Sequence, residues 1–161
     1  MAAMDQSGIL ARILPGASAS GLAPLVHLES EVGLAPDPAV RLATLGGEET
    51  KGRLRLSKEV AQRTSRLSEW SKTDTSLAEL GYRLGNEEAL NAAILRAASL
   101  GVPLSSQALE DIRRGASQSF PIKAADLMPD FSGPALGRRL AKLEADWIAS
   151  GFQLSRDDLL T

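Results

Sequence analysis

Between Asn86 and Gly101 the chain places Leu90, Ala92, Ala93, Ile94, Leu95, Ala97 and Ala98, apolar residues on nearly every side of a helix. A helix of that kind has no face to give to water and has to sit in the centre of a helical assembly. Its alanines let neighbouring helices approach closely. Asn86 reads as its N-cap and Gly101 as the glycine that stops it. The rest of the composition agrees. Across 161 residues, 43% are hydrophobic and only 4% aromatic, too apolar for a disordered chain and too poor in aromatics for a typical β-sandwich.

The helical period runs through the rest of the sequence, and no stretch reads as a strand. Gly8–Leu14 is a short helix stopped by Pro15-Gly16. Leu22–Val32 puts Leu22, Leu25, Glu29 and Val32 on one side and ends at Gly33. Asp37-Pro38 opens a helix to Leu45 with proline in its first turn. Gly46–Arg53 reads as a polar loop. Ser57 caps a helix to about Lys72, with Val60, Thr64 and Leu67 inward. Ser76–Leu84 is closed by Gly85, Ser105 or Ser106 caps a helix to Arg114, and Lys123–Met128 is about one turn. Gly133-Pro134 opens a long helix to Ser150, and Arg156–Leu160 is a last turn. The expectation is an all-α bundle of about eight to ten helices. Leu90, Ile94, Leu136, Leu140, Leu143 and Trp147 are expected in the core. A composition break near Gly101–Ser105 suggests two lobes, 1–101 and 102–161, the second packed on the first.

Several chemistries are excluded by what is missing. There are no cysteines and one histidine, so thiolate zinc sites, Cys nucleophiles and multi-His metal sites have no residues to build them. His27 falls opposite the Leu25/Val32 side of its helix and reads as solvated. No phosphate loop, Gly-x-Ser-x-Gly or Asp-x-Asp metal pair occurs. Asp157-Asp158 reads as charge in the first turn of a helix, where the macrodipole favours it. Trp147 shares a 4-3-4 stripe with Leu136, Leu140 and Leu143, which makes it core. Trp70, one turn after Arg66, is the better stacking candidate. No run approaches the length of a membrane span and no basic-then-apolar leader opens the chain, so the cytoplasm is the expected compartment.

Charge is unevenly spread. The formal net charge is −2, but residues 1–50 carry −4 and residues 51–161 carry +2. Residues 51–66 hold Lys51, Arg53, Arg55, Lys58, Arg63 and Arg66 against Glu59 alone. Residues 113–142 hold Arg113, Arg114, Lys123, Arg138, Arg139 and Lys142 against Asp126 and Asp130. Arg138 and Lys142 fall opposite the Leu140 stripe, and Arg139 flanks it. Cations early in a helix are disfavoured by the macrodipole unless an anion binds there too. The competing reading is an exposed Lys142–Asp146 pair beside solvated arginines.

Phe120-Pro-Ile-Lys-Ala-Ala-Asp-Leu-Met128, Ser132-Gly-Pro-Ala-Leu-Gly137 and Leu143-Glu-Ala-Asp-Trp-Ile-Ala-Ser-Gly-Phe152 occur in that order. Upstream lie Gly8-Ile-Leu-Ala-Arg-Ile-Leu-Pro15, Pro38-Ala-Val-Arg-Leu42, Leu54-Arg-Leu-Ser57 and Tyr82-Arg-Leu-Gly85. This ordered series resembles the C-terminal body and tail of the bacterial tRNA nucleotidyltransferase (CCA-adding enzyme) and poly(A) polymerase family. It covers nearly the whole chain. The sequence departs from the pattern at Ala124, where relatives often carry glycine, and at Ser132. Glu110-Asp-Ile-Arg-Arg114 spells the family's nucleotide-selecting neck pattern but lies after most of the body motifs. It reads instead as a surface pair at i,i+4.

The resemblance implies an all-α region that holds RNA, while metal-dependent nucleotidyl transfer belongs to a head whose Gly-Ser and Asp-x-Asp elements are not in this sequence. It therefore implies no catalytic residue and no metal or nucleotide cofactor in this chain. Magnesium and nucleotides would belong to the head. The implied partners are tRNA or another structured RNA and the protein's own head and neck, with neither DNA nor membrane expected. RNA helices are held largely through phosphates and 2′-hydroxyls, which calls for Arg and Lys. Two groups qualify: Arg53, Arg55 and Lys58 near Ser57, and Lys123, Arg138, Arg139 and Lys142 around the 123–142 hairpin. The rival expectation is a helical interaction or dimerisation module without RNA affinity.

Overall fold

The computed structural model describes residues 2–128 and 130–161. Among them are ten α-helices, one 3₁₀ turn and no strand, so the chain is all-α. In order the helices are α1 (Ala2–Gln6), α2 (Ile9–Ile13), α3 (Leu22–Val32), α4 (Pro38–Leu45), α5 (Thr50–Arg53) and α6 (Lys58–Ser71). Then come α7 (Leu77–Leu100), α8 (Ser106–Ala116), the 3₁₀ turn (Ala124–Leu127), α9 (Gly133–Ala149) and α10 (Arg156–Leu160). The chain divides into two compact units, the first ending at Ala116 and the second running Ser117–Thr161.

Local chemistry sets the helix ends. Asp37 Oδ1 accepts the Ala39 and Val40 N–H groups at 2.7 and 3.3 Å, and Pro38 supplies the preset φ of a first turn. Ser57 Oγ accepts from Val60 at 3.2 Å, and Ser76 Oγ from Glu79 at 3.1 Å. Gly85 interrupts α7 with φ 77° and ψ 170°, so the two helices read from the sequence on either side of it are joined by a kink. Only glycine reaches that backbone region without penalty. The loop expected over 46–53 holds the single turn α5, and α1 precedes the first helix the pattern predicts. Both are too short to show a helical period.

In the first unit the second half of α7 lies between α3, α4 and α6. Its Ala92, Ile94, Leu95, Ala97 and Ala98 join Leu25, Leu28, Ala39, Val40 and Leu67 in one core cluster. Leu90 is only half-buried, at the edge of that cluster, and Trp70 packs beside it rather than standing free as a stacking platform. Helix α8 packs along α7 through a close backbone approach. A Cβ on Gly115 would run into the Ala78 carbonyl, and one on Gly81 into the Ile112 carbonyl and the Ala116 nitrogen. This contact corrects the expected lobe boundary. The break falls after Ala116 rather than at 101, because α8 is fastened to α7.

Ion pairs tie the helices of this unit. Glu29, only 4% exposed, accepts Arg41 Nη2 at 2.8 Å. Arg63 on α6 reaches Asp37 ahead of α4 at 2.6 Å and Glu88 on α7 at 2.5 Å. Burial acts to raise the Asp37 pKa, but the Arg63 hydrogen bond and the two amides of α4 outweigh it and hold the carboxyl below its usual range.

The second unit has an aromatic centre. Trp147 on α9 is 3% exposed, with the Phe120 ring 5.5 Å away and the Phe152 ring edge-on at 4.9 Å. Leu143 is buried as expected, while Leu136 and Leu140 are half-buried.

Two outcomes follow from this packing. Gly115→Ala should cost about 2–3 kcal/mol through overpacking against a neighbouring backbone that cannot give way. Gly137→Ala, in α9 with open space at its Cβ position, should be neutral or stabilising by up to about 1 kcal/mol. Urea unfolding of both variants is the measurement, and equal midpoints would contradict the close crossing. Asp37 titrates below its unfolded value, so its contribution is present above the ordinary carboxylate range and is lost as pH falls through the lowered folded value. Asp37→Ala should cost about 2 kcal/mol near neutral pH. Its stability should also fall less steeply than the parent's below about pH 4. Unfolding measured across that range tests both parts.

Candidate nucleic-acid interface

The two cationic groups marked by the sequence lie in different units. In the first unit, Arg53 ends α5 and its Nε lies 3.8 Å from Glu49 Oε2, so part of its charge is already answered. Arg55 follows, exposed and with a left-handed φ of 51°. Lys58 is the first residue of α6 and exposed. Ser57 Oγ already occupies the Val60 amide at this helix start, which leaves less of the N-terminal field for an outside anion. Gln62 and Arg66 follow Lys58 at four-residue spacing on the exposed side of α6. That spacing was the available signal for extending the group along the helix. Arg63, between them, is spent on Asp37 and Glu88.

The second unit is arranged differently. Arg138 and Lys142 stand exposed one turn apart on α9. Arg139 is half-buried, and its Nε is buried without a hydrogen-bond partner. Lys123 caps the 3₁₀ turn that contacts α9. Its side chain is exposed, while its backbone N–H donates to Asp126 Oδ2 at 2.7 Å. Asp126 also accepts Arg156 Nη2 at 2.9 Å. The Lys123 amide and then Arg156 hold the Asp126 carboxyl below its usual range. Asp126 thus answers Arg156. Lys123, Arg138, Arg139 and Lys142 form no ion pair among the described residues. The alternative Lys142–Asp146 pair does not form.

Helix α9 carries its charge against its own dipole. Its first turn holds no acid and its last turn no base. Arg138 and Arg139 lie in the N-terminal half, Lys142 just past the middle, and Glu144 and Asp146 follow toward the C-terminal end. Helices favour the opposite order. The N-cap position is also vacant of side-chain help, since Ser132 makes no capping bond. The uncapped amides at the helix start and the two arginines in its second turn therefore both favour an anion from outside the chain.

The residues read as structural behave so. Asp158 accepts both the Ser155 N–H and hydroxyl in a capping box, and these bonds lower its pKa. His27 is exposed, 3.4 Å from Glu31. Arg114 pairs at 2.9 Å with Asp111 three residues back, not the i,i+4 partner Glu110 that the sequence suggested. Among the described residues no group of acids and histidine is placed to hold a metal ion, and no helix is long and apolar enough to cross a membrane. Comparison with known protein families, curated proteins and solved structures finds no match.

The inverted charge of α9 has a measurable consequence. Arg138→Glu removes a cation from the wrong end of the dipole and creates a Glu-to-Lys142 pair at i,i+4. It should raise stability by about 0.5 kcal/mol at low salt. Thermal unfolding at low ionic strength tests this, and a destabilised variant would show that Arg138 has an intramolecular role.

Proposed function

We propose that this chain is the RNA-holding body and tail region of a cytoplasmic tRNA nucleotidyltransferase or poly(A) polymerase-like protein, with nucleotidyl transfer carried out by a separate catalytic head. The observation that carries the reading is α9, where Arg138, Arg139 and Lys142 lack intramolecular counterions and the two arginines sit toward the positive end of the helix dipole. A stability cost of this kind is relieved when phosphates supply the missing charge. The ordered resemblance of the sequence to the body and tail of that family supports the same assignment. Lys123, on the turn that contacts α9, adds a fourth cation to this surface. Arg53, Arg55 and Lys58 form a second, weaker group, since Glu49 and Ser57 already answer part of its charge and helix field.

The chemistry required is modest. Phosphates along an RNA helix are met by guanidinium and ammonium groups, and the sequence of the RNA is not read. Binding is then weak and steeply salt-dependent. A second reading, a helical interaction module, is favoured by Ile9, Ile13 and Val26, each close to half exposed on the first unit. It requires self-association or a protein partner and no RNA affinity.

Titration of tRNA at low and moderate salt separates the two. The parent chain should bind with a logarithmic salt slope of about −2 to −3, matching three or so neutralised phosphates. Arg138→Ala/Arg139→Ala/Lys142→Ala should weaken binding at low salt at least about tenfold. Equal binding by parent and variant, or no binding by the parent at low salt, would overturn the assignment. Concentration-dependent sedimentation without RNA affinity would establish the rival.

A further inference from the structure

The cleft between the end of α4, α5 and α6 in the first unit takes no part in the reading above. It encloses about 390 Å³, within the usual range for small-ligand pockets of about 300–1,000 Å³. Its lining divides by chemistry. Leu42, Leu56 and Ala61 give an apolar wall. Lys51 on α5 and Lys72 just past α6 stand at it, both exposed and neither in an ion pair among the described residues. The only carboxylate in the lining, Glu69, already accepts the Ser65 hydroxyl at 3.0 Å.

Thr64 also lines the cleft. Its Oγ1 is buried and has no hydrogen-bond partner among the described residues. The Ser68 side chain, one turn on, likewise makes no hydrogen bond there. A buried hydroxyl left unpaired costs free energy, which a ligand atom can recover. These features select among ligands. An inorganic anion satisfies the lysines but leaves the apolar wall and both hydroxyls unused. An apolar molecule satisfies the wall alone. A ligand with an anionic end, a body that can lie on the apolar wall and hydrogen-bonding edges answers all three.

We propose that this cleft binds a nucleoside monophosphate unit, either as a free nucleotide or as an unpaired residue of an RNA strand. The phosphate lies toward Lys51 and Lys72, the base lies on the Leu42/Leu56/Ala61 wall, and Thr64 and Ser68 bond its polar edge. Because the cleft belongs to the first unit, the proposal does not rest on the α9 surface.

The test is a nuclear magnetic resonance titration of the full chain with AMP, following the backbone amides of Gly46, Gly47, Thr64 and Ser68. Saturable shifts centred on these residues are expected. Adenosine and inorganic phosphate, each lacking one part of the ligand, should bind at least about tenfold more weakly. Lys51→Gln/Lys72→Gln should weaken AMP about tenfold, and Thr64→Val, which keeps the side-chain shape, about fivefold. Circular dichroism and thermal unfolding establish that each variant is folded. If the double lysine variant does not fold, Thr64→Val decides. Competition with a short single-stranded oligoadenylate distinguishes the sources: displacement of AMP assigns the cleft to a strand residue, and persistence of AMP assigns it to free nucleotide. No saturable shift, phosphate binding as tightly as AMP, or unchanged affinity in the folded variants would overturn the proposal. The Arg138/Arg139/Lys142 triple variant should keep AMP binding, so either reading can fail without the other.

Discussion

Where α7 meets α8, two backbones touch with almost no side chain between them. Gly81 and Gly115 lie against the Ile112 and Ala78 carbonyls, and the first unit's boundary depends on this contact. A chain so poor in aromatics has few large side chains to fill space between helices. Its first unit contains only Trp70 and Tyr82 of that class and fills its centre with alanine, leucine and direct helix contact. The second unit solves the same problem in the opposite way, with Phe120, Trp147 and Phe152 clustered around α9. Close-packed interiors tolerate either solution, provided volume and shape match.

Much of this was legible in the sequence because caps act over three or four residues. Asp37, Ser57, Ser76 and Gly101 each set a helix end through bonds to nearby amides or carbonyls, and the α3 and α4 bounds are the ones their flanking residues predict. The allegiance of α8 was not legible. A hydrophobic period records which side chains are buried, whereas a glycine crossing buries backbone and leaves no apolar stripe behind. Glu29 shows a mixed outcome. Its place on the Leu25 side of α3 was visible, but its counterion lies twelve residues away on another helix.

The candidate surface divides in the same manner. That Arg138 and Lys142 face away from the Trp147 stripe follows from helical geometry alone. Whether an arginine is free or spent depends on partners distant in sequence. Arg63 looks as available in the sequence as Lys58 does, yet two carboxylates from different helices hold it. The bare start of α9 is similarly hidden from the sequence, since Ser132 is a residue that often caps and here does not.

Arg63 itself carries a consequence for how the first unit comes together. Its two partners lie 26 and 25 residues away on opposite sides in sequence, one ahead of α4 and one on α7. The guanidinium therefore closes two chain loops of nearly equal length with a single side chain. Each pair needs two helices to dock and the whole arrangement needs three, so the triad couples the docking of α4 and α7 onto α6. Energies assigned to its two pairs separately will not add, because removing either carboxylate changes what the other one holds.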